Sequence, residues 1–157
     1  MDIVHTRIDY RLIHGQVITK WLKVCGAEKI VIVDDSLVKD SFLTMVYRMA
    51  APTGIEVIIT SCEDFQKAKN DLEGKVLLLF KTIDMALKTV QDGLDISALQ
   101  VGGLENTAGR KIVHNQISMD MNDYEKLKEI ENKGIKVYFQ TVPGEEESDL
   151  EKVRKKL

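Results

Sequence analysis

The run Lys29-Ile30-Val31-Ile32-Val33-Asp34 carries nothing polar between its ends and is built almost wholly from β-branched residues. A strand with one wet face alternates polar and apolar residues, so an unbroken run marks a strand buried on both faces, as in a parallel sheet. The same theme repeats outward. Upstream, Ile3–Ile8 reads as a strand and Val17–Cys25 as a helix, with Val17/Trp21, Ile18/Leu22 and Trp21/Cys25 as i, i+4 pairs. Downstream, a helix spans Asp40–Met49, with Phe42, Met45, Val46 and Met49 on its apolar side and Pro52 beyond its end. A strand at Ile55–Thr60 follows, then a helix opened by Ser61 with Asp64 in a capping-box pattern.

Val76–Phe80 is the next strand, and Thr82–Gln91 the next helix, with Gly93 just past it. A short strand at Ala98–Val101 runs into Gly102-Gly103. Lys111–Met119 reads as a strand or an irregular crossing. Asn122 with Glu125 opens a helix that Gly134 closes, Ile135–Val142 forms a strand before Pro143, and Ser148 with Glu151 opens the last helix. Strands alternating with helices predict one α/β domain over residues 1–157. Its sheet is open, doubly wound and mostly parallel, with helices on both faces.

Composition fits this frame. The 157 residues hold 22 Lys and Arg against 25 Asp and Glu, a net charge of −3, with 44% hydrophobic residues. That balance gives no electrostatic footprint for nucleic acid. The basic end at Arg154, Lys155 and Lys156 reads as a solvated helix terminus. Cys25 and Cys62 are too far apart for a metal-binding pair and read as free thiols of a reducing compartment. No apolar run is long enough to span a membrane, and the N-terminus lacks the pattern of a signal peptide. Neither a metal nor a cofactor is expected.

In doubly wound sheets ligands bind beyond the carboxyl ends of the strands. The loop after the first strand holds the chemistry: Arg7-Ile8-Asp9-Tyr10-Arg11-Leu12-Ile13-His14-Gly15-Gln16-Val17. A neutral imidazole is a nucleophile. Guanidinium forks bind phosphate oxygens and stabilise charge during transfer. A helix start presents free N–H groups to an anion, and Gly15 clears space for one. His14, Arg11 and Arg7 are therefore the candidate catalytic residues, with Asp9, Gly15 and Gln16 completing a phosphate loop. Arg7 and Arg11 also read as plain ion-pair partners of Asp9, and Asp9 as a turn residue. Lys81 and the Gly102-Gly103 pair lie after later strands and are candidates to flank the site. His5, His114 and Trp21 read as structural.

The segment Arg7–Val17, with Trp21 four residues on, resembles the signature of the IIB components of the mannose/sorbose family of phosphoenolpyruvate-dependent sugar phosphotransferase systems. Weaker similarities follow in order: Ile32-Val33-Asp34-Asp35, Ala50-Ala51-Pro52 with Gly54-Ile55, Val101-Gly102-Gly103 (with Gln100 where Asn is usual), Gly134-Ile135 with Val137, and Gln140 with Val142-Pro143. The resemblance implies a seven-stranded sheet with one antiparallel strand. It also implies a cytoplasmic phosphocarrier, associated peripherally with a membrane permease. Its histidine, here His14, accepts a phosphoryl group on Nδ1 from a phosphorylated IIA partner and passes it to a sugar held by the membrane subunits IIC and IID. Arg7 and Arg11 match the family's two loop arginines. Which sugar is carried, and whether the chain self-associates as a homo-oligomer, stay open.

Two rival readings share the architecture. A receiver domain of a signalling system is suggested by Asp34-Asp35 and Lys81, but the position after the third strand holds Thr60-Ser61 in place of a phosphorylatable Asp. A nucleotide-binding module is suggested by Gly103–Lys111, but the glycine spacing is wrong and no G-K-[ST] ending appears.

Overall fold

A computed structural model describes all residues, 1–157. In chain order the elements are β1 (Asp2–Asp9), α1 (Gly15–Cys25), β2 (Lys29–Val33), α2 (Ser41–Ala50), β3 (Glu56–Thr60), α3 (Cys62–Ala68), β4 (Lys75–Phe80) and α4 (Ile83–Gln91). They continue with β5 (Ala98–Gly103), β6 (Lys111–His114), β7 (Ile117–Met119), α5 (Met121–Glu131), β8 (Lys136–Phe139), β9 (Ser148–Asp149) and α6 (Leu150–Arg154). Seven strands form one sheet in the order β3-β2-β4-β1-β5-β8-β9, while β6 and β7 make a separate hairpin. All pairings in the main sheet are parallel except β8 with β9.

Both faces of the central strands are dry. Val31 and Val33 of β2, with Val76, Leu78 and Phe80 of β4, pack into a core shared with α3, α4, α5 and α6. Their neighbours Ile30, Ile32, Leu77 and Leu79 pack into a second core with Ile18, Trp21 and Leu22 of α1. Each such side chain contributes roughly 1.5–3 kcal/mol when withdrawn from water, which is why these strands tolerate no polar alternation.

The chain winds from β1 to β2 and β3 on one side, returns to β4, then crosses β1 to reach β5 and β8 on the other. The winding therefore reverses about β1. In such sheets the reversal opens a crevice at the carboxyl ends, and here the Asp9–Gly15 loop occupies it.

Several expectations are corrected in detail. An amphipathic helix ordinarily turns its apolar side to the core. In α2, however, Phe42 (66%) and Met49 (77%) are exposed, and Leu43 and Tyr47 take the inward side. The α5 helix is capped by the Asp120/Asp123 box, two residues ahead of Asn122/Glu125. Ser148 belongs to β9, and the α6 cap is Asp149, whose carboxylate accepts from the Lys152 N–H at 2.7 Å. Lys111–Met119 is the β6–β7 hairpin, turning at Asn115 with a left-handed φ of 48°. No helix is long and apolar enough to cross a membrane.

Candidate active site

The alternation of a strand places Arg7 and Asp9 on one face of β1, with the core residue Ile8 on the other. Beyond Asp9 the chain must reverse into α1. Leu12 takes a left-handed φ of 56°, uncommon for a branched residue. Burial fixes it there: Leu12 and Ile13 both insert into the α1-side core. The turn delivers His14 back over the end of β1, where it is the N-cap residue of α1. Gly15 follows at φ 46°, a conformation that costs a residue with a Cβ about 1–2 kcal/mol.

Asp9 is the hub. Its side chain has no solvent exposure. Oδ2 accepts from Nε2 of His14 at 3.0 Å, from Nη2 of Arg7 at 3.1 Å and from Nη2 of Arg11 at 3.4 Å. Oδ1 accepts from the Arg11 backbone N–H at 3.1 Å and from Arg11 Nε at 3.2 Å. Burial works to raise the Asp9 carboxyl, but the His14 hydrogen bond, the Arg7 charge and the Arg11 contacts together prevail and hold it well below the usual carboxylate range. An ionised carboxylate only accepts hydrogen bonds. The nitrogen facing it must therefore carry the proton, so neutral His14 is the Nε2–H tautomer with its lone pair on Nδ1. Nδ1 has no partner within the chain, and the side chain keeps 21% exposure.

Arg7 does not reach the surface. The sequence suggested a phosphate contact for it; the structure buries it to 1% exposure and occupies its donors internally. Nη1 donates to Gln100 Oε1 at 2.5 Å and to the Gln140 carbonyl at 3.1 Å, while Nη2 donates to the Thr141 carbonyl at 2.9 Å as well as to Asp9. Its guanidinium lies 5.5 Å from the Trp21 ring centre. A charge so deeply placed is tolerated because Asp9 is its counter-ion and acceptors meet both terminal nitrogens. Arg11 differs: its side chain is 39% exposed and is the cation at the mouth.

Gly102 and Gly103 make room for this hub. A Cβ on Gly102 would overlap the Arg7 guanidinium, and one on Gly103 would lie 2.8 Å from Asp9 Oδ1. Gly15 and Gln16 are exposed at the start of α1, whose first turn has no acidic residue and no side-chain cap. Lys81 stands apart, lining a shallow hollow with Tyr10, Asp84, Arg110 and Asp123. The acids Asp34 and Asp35 are committed to structure. Asp34 accepts from the Ser36 and Leu37 N–H groups, and Asp35 pairs with Lys88 at 2.7 Å. Alongside the loop lies an open cleft of about 750 Å³, walled by Tyr10, Arg11, Gly103, Asn106, Gln116 and Thr141 among others.

The β8–β9 loop, Gln140 to Glu145, is the part that sequence reasoning missed. It supplies Arg7 with two carbonyls and also accepts the Trp21 indole N–H at Thr141 O, 3.2 Å. A signal existed: His5, Arg7 and Asp9 alternate on the one face of a central strand, and ionisable groups so placed must find buried partners on neighbouring strands.

Fold and loop together define an α/β protein with a histidine presented at the switch point of a doubly wound sheet. A family model described as PTS system sorbose subfamily IIB component matches residues 3–157, and the chain belongs to that family. The sorbose-specific EIIB component of Klebsiella pneumoniae is 32% identical over 148 residues, covering 92% of this chain and 90% of that protein. The mannose-specific EIIAB component of Escherichia coli is 30% identical over 90% of this chain, which spans 45% of that longer protein. Among solved structures, manxB from Thermoanaerobacter tengcongensis superposes with a TM-score of 0.92 at 39% identity, over 99% of this chain and 96% of that one. The IIBSor domain of the K. pneumoniae sorbose permease gives 0.90 at 31% identity, over 100% and 99%.

Proposed function

We propose that the chain is a phosphocarrier of a sugar phosphotransferase system and that His14 is the residue phosphorylated. The observation that carries this reading is the 3.0 Å contact between His14 Nε2 and the ionised Asp9, which leaves the Nδ1 lone pair as the nucleophile. In the loading step Nδ1 attacks the phosphorus of a phosphohistidine on a IIA partner. The new P–Nδ1 bond forms as the donor's P–N bond breaks, and the donor imidazole leaves. Substitution at Nδ1 puts positive charge on the ring while Nε2 keeps its proton, and Asp9 stabilises that charge. Arg11 and the free N–H groups at the start of α1 face the phosphoryl oxygens. In the unloading step a hydroxyl of a sugar held by membrane IIC and IID subunits attacks phosphorus, the P–Nδ1 bond breaks with its electron pair returning to Nδ1, and the hydroxyl proton passes to solvent. In this reading the carrier works in the cytoplasm against the permease.

The test is incubation with phosphoenolpyruvate, the general phosphotransferase proteins and a IIA, followed by mass mapping of the modified residue. One phosphoryl group on His14, stable in base and lost in acid, is expected. A His14→Ala chain that still takes up label sinks the assignment. Label lost in base would point to an acyl phosphate instead.

A further inference from the structure

We infer that Glu145, in the β8–β9 loop, is a positioning residue for His14, acting through Thr141, Arg7 and Asp9; the transfer it serves is the one proposed above. Two paths leave Glu145 and converge on the Arg7 guanidinium. In the first, its carboxylate accepts from the Thr141 N–H at 3.4 Å and from the Thr141 hydroxyl, fixing that residue so that its carbonyl receives Arg7 Nη2 at 2.9 Å and the Trp21 indole at 3.2 Å. In the second, the Glu145 carbonyl accepts from Gln140 Nε2 at 3.0 Å. The Gln140 side-chain oxygen then accepts from Gln100 Nε2 at 3.2 Å, and Gln100 Oε1 accepts Arg7 Nη1 at 2.5 Å.

Glu145 is itself held from outside. His114 of the β6–β7 hairpin donates from Nε2 to its Oε1 at 2.5 Å, and Nδ1 of the same ring contacts the Ser148 hydroxyl at 2.9 Å. Three segments distant in sequence are thus tied to one guanidinium. Arg7 sits beneath Asp9, and Asp9 decides which nitrogen of His14 bears the proton. Exposed ion pairs elsewhere, such as Lys67–Glu63 at 3.0 Å, lead to no such chain of buried partners.

The relay makes a prediction that plain structural support does not. Loosening Thr141 lets Arg7 shift, Asp9 loses its fixed bearing, and His14 samples the Nδ1–H tautomer, which has no nucleophilic Nδ1. The loss then falls on the rate at saturating donor and leaves donor affinity intact, since the Thr141 hydroxyl and the Glu145 carboxylate are already committed to each other.

The experiment compares the intact chain with Glu145→Ala, Glu145→Gln, Thr141→Val and Val153→Ala. The last is a buried α6 residue that lowers stability outside the relay. The readouts are the ¹⁵N shifts of His14 in the unphosphorylated protein and single-turnover phosphorylation by a IIA. Glu145→Ala and Thr141→Val are expected to mix the His14 tautomers and to slow the saturated rate about 10- to 100-fold, the scale of a small misplacement of a reacting group. Half-saturation should not move. Glu145→Gln, which keeps an oxygen for Thr141, restores most of both, and Val153→Ala changes neither. The proposal is overturned if Glu145→Ala and Thr141→Val keep the Nε2–H tautomer at the intact rate, or if Val153→Ala shifts His14 as far as they do. Because the tautomer readout needs no donor, a relay that responds as expected in a chain never phosphorylated on His14 supports this inference and rejects the carrier reading alone.

Discussion

His14 Nε2 lies 3.0 Å from Oδ2 of Asp9, a carboxylate with no exposure to solvent. That contact ties the reactive ring to the strand below it, and substitutions around it separate its electrostatic and steric parts.

Asp9→Asn keeps the shape and removes the charge. Arg7 is then a buried cation without its counter-ion, and breaking such a pair costs about 3–5 kcal/mol. The urea midpoint should fall accordingly, and His14 should lose its single tautomer. An Asn variant as stable as the parent would show that Arg7 is neutralised by something other than Asp9.

Acid should reveal the same group. The folded Asp9 carboxyl titrates below its unfolded value, so its stabilisation is complete above the ordinary carboxylate pKa of about 3.9 and is lost as pH falls towards the folded value. The stability gap between the parent and Asp9→Asn should not narrow from neutrality down to about pH 4.5 and should close only below about pH 4. Urea titrations across that range check it; a gap already closing at pH 6 contradicts the assignment.

The two kinds of glycine at the site should behave differently. Gly15→Ala meets no atom within 4 Å, and its cost is conformational, about 1–2 kcal/mol. Gly102→Ala drives a methyl into the Arg7 guanidinium and costs about 1–3 kcal/mol through overpacking, with loss of phosphorylation beyond what stability explains. Thermal melts paired with labelling distinguish them, and equal labelling of the two variants would refute the steric role of Gly102.

The arginines should separate cleanly. Arg11→Ala removes a half-exposed cation, so stability should change by no more than about 1 kcal/mol. Transfer should slow about 10- to 150-fold, the value of one charge-assisted hydrogen bond in the transition state. Arg7→Leu should instead unfold the chain at lower urea, because it leaves Asp9 charged and buried. If the stability loss falls on Arg11 and spares Arg7, the burial pattern described here is not the one that operates.

Much of this was legible in the residues, for physical reasons. Strands such as Lys29–Val33 and Lys75–Phe80 are apolar on both faces, and that alone requires a parallel sheet with helices on either side. His14 and the loop around it are contiguous in sequence and so are visible together. What escaped was long-range or two-sided. The burial of Arg7 depends on Gln100, Gln140 and Thr141, which lie 93 to 134 positions away. The α2 helix carries an apolar stripe on each side, and periodicity alone does not say which one the core takes. The Asp120 cap was hidden because Asp120, Asn122 and Asp123 are all competent to open a helix.

The charge count at the hub has a last consequence. Arg7 and Arg11 bring two positive charges and Asp9 one negative, so the pocket is left with a single net positive charge, whereas a phosphoryl group carries close to two negative ones. On the reading proposed above, the ring of a phosphorylated His14 supplies the second positive charge, so the loaded site only just balances and has no surplus of cations to trap its group.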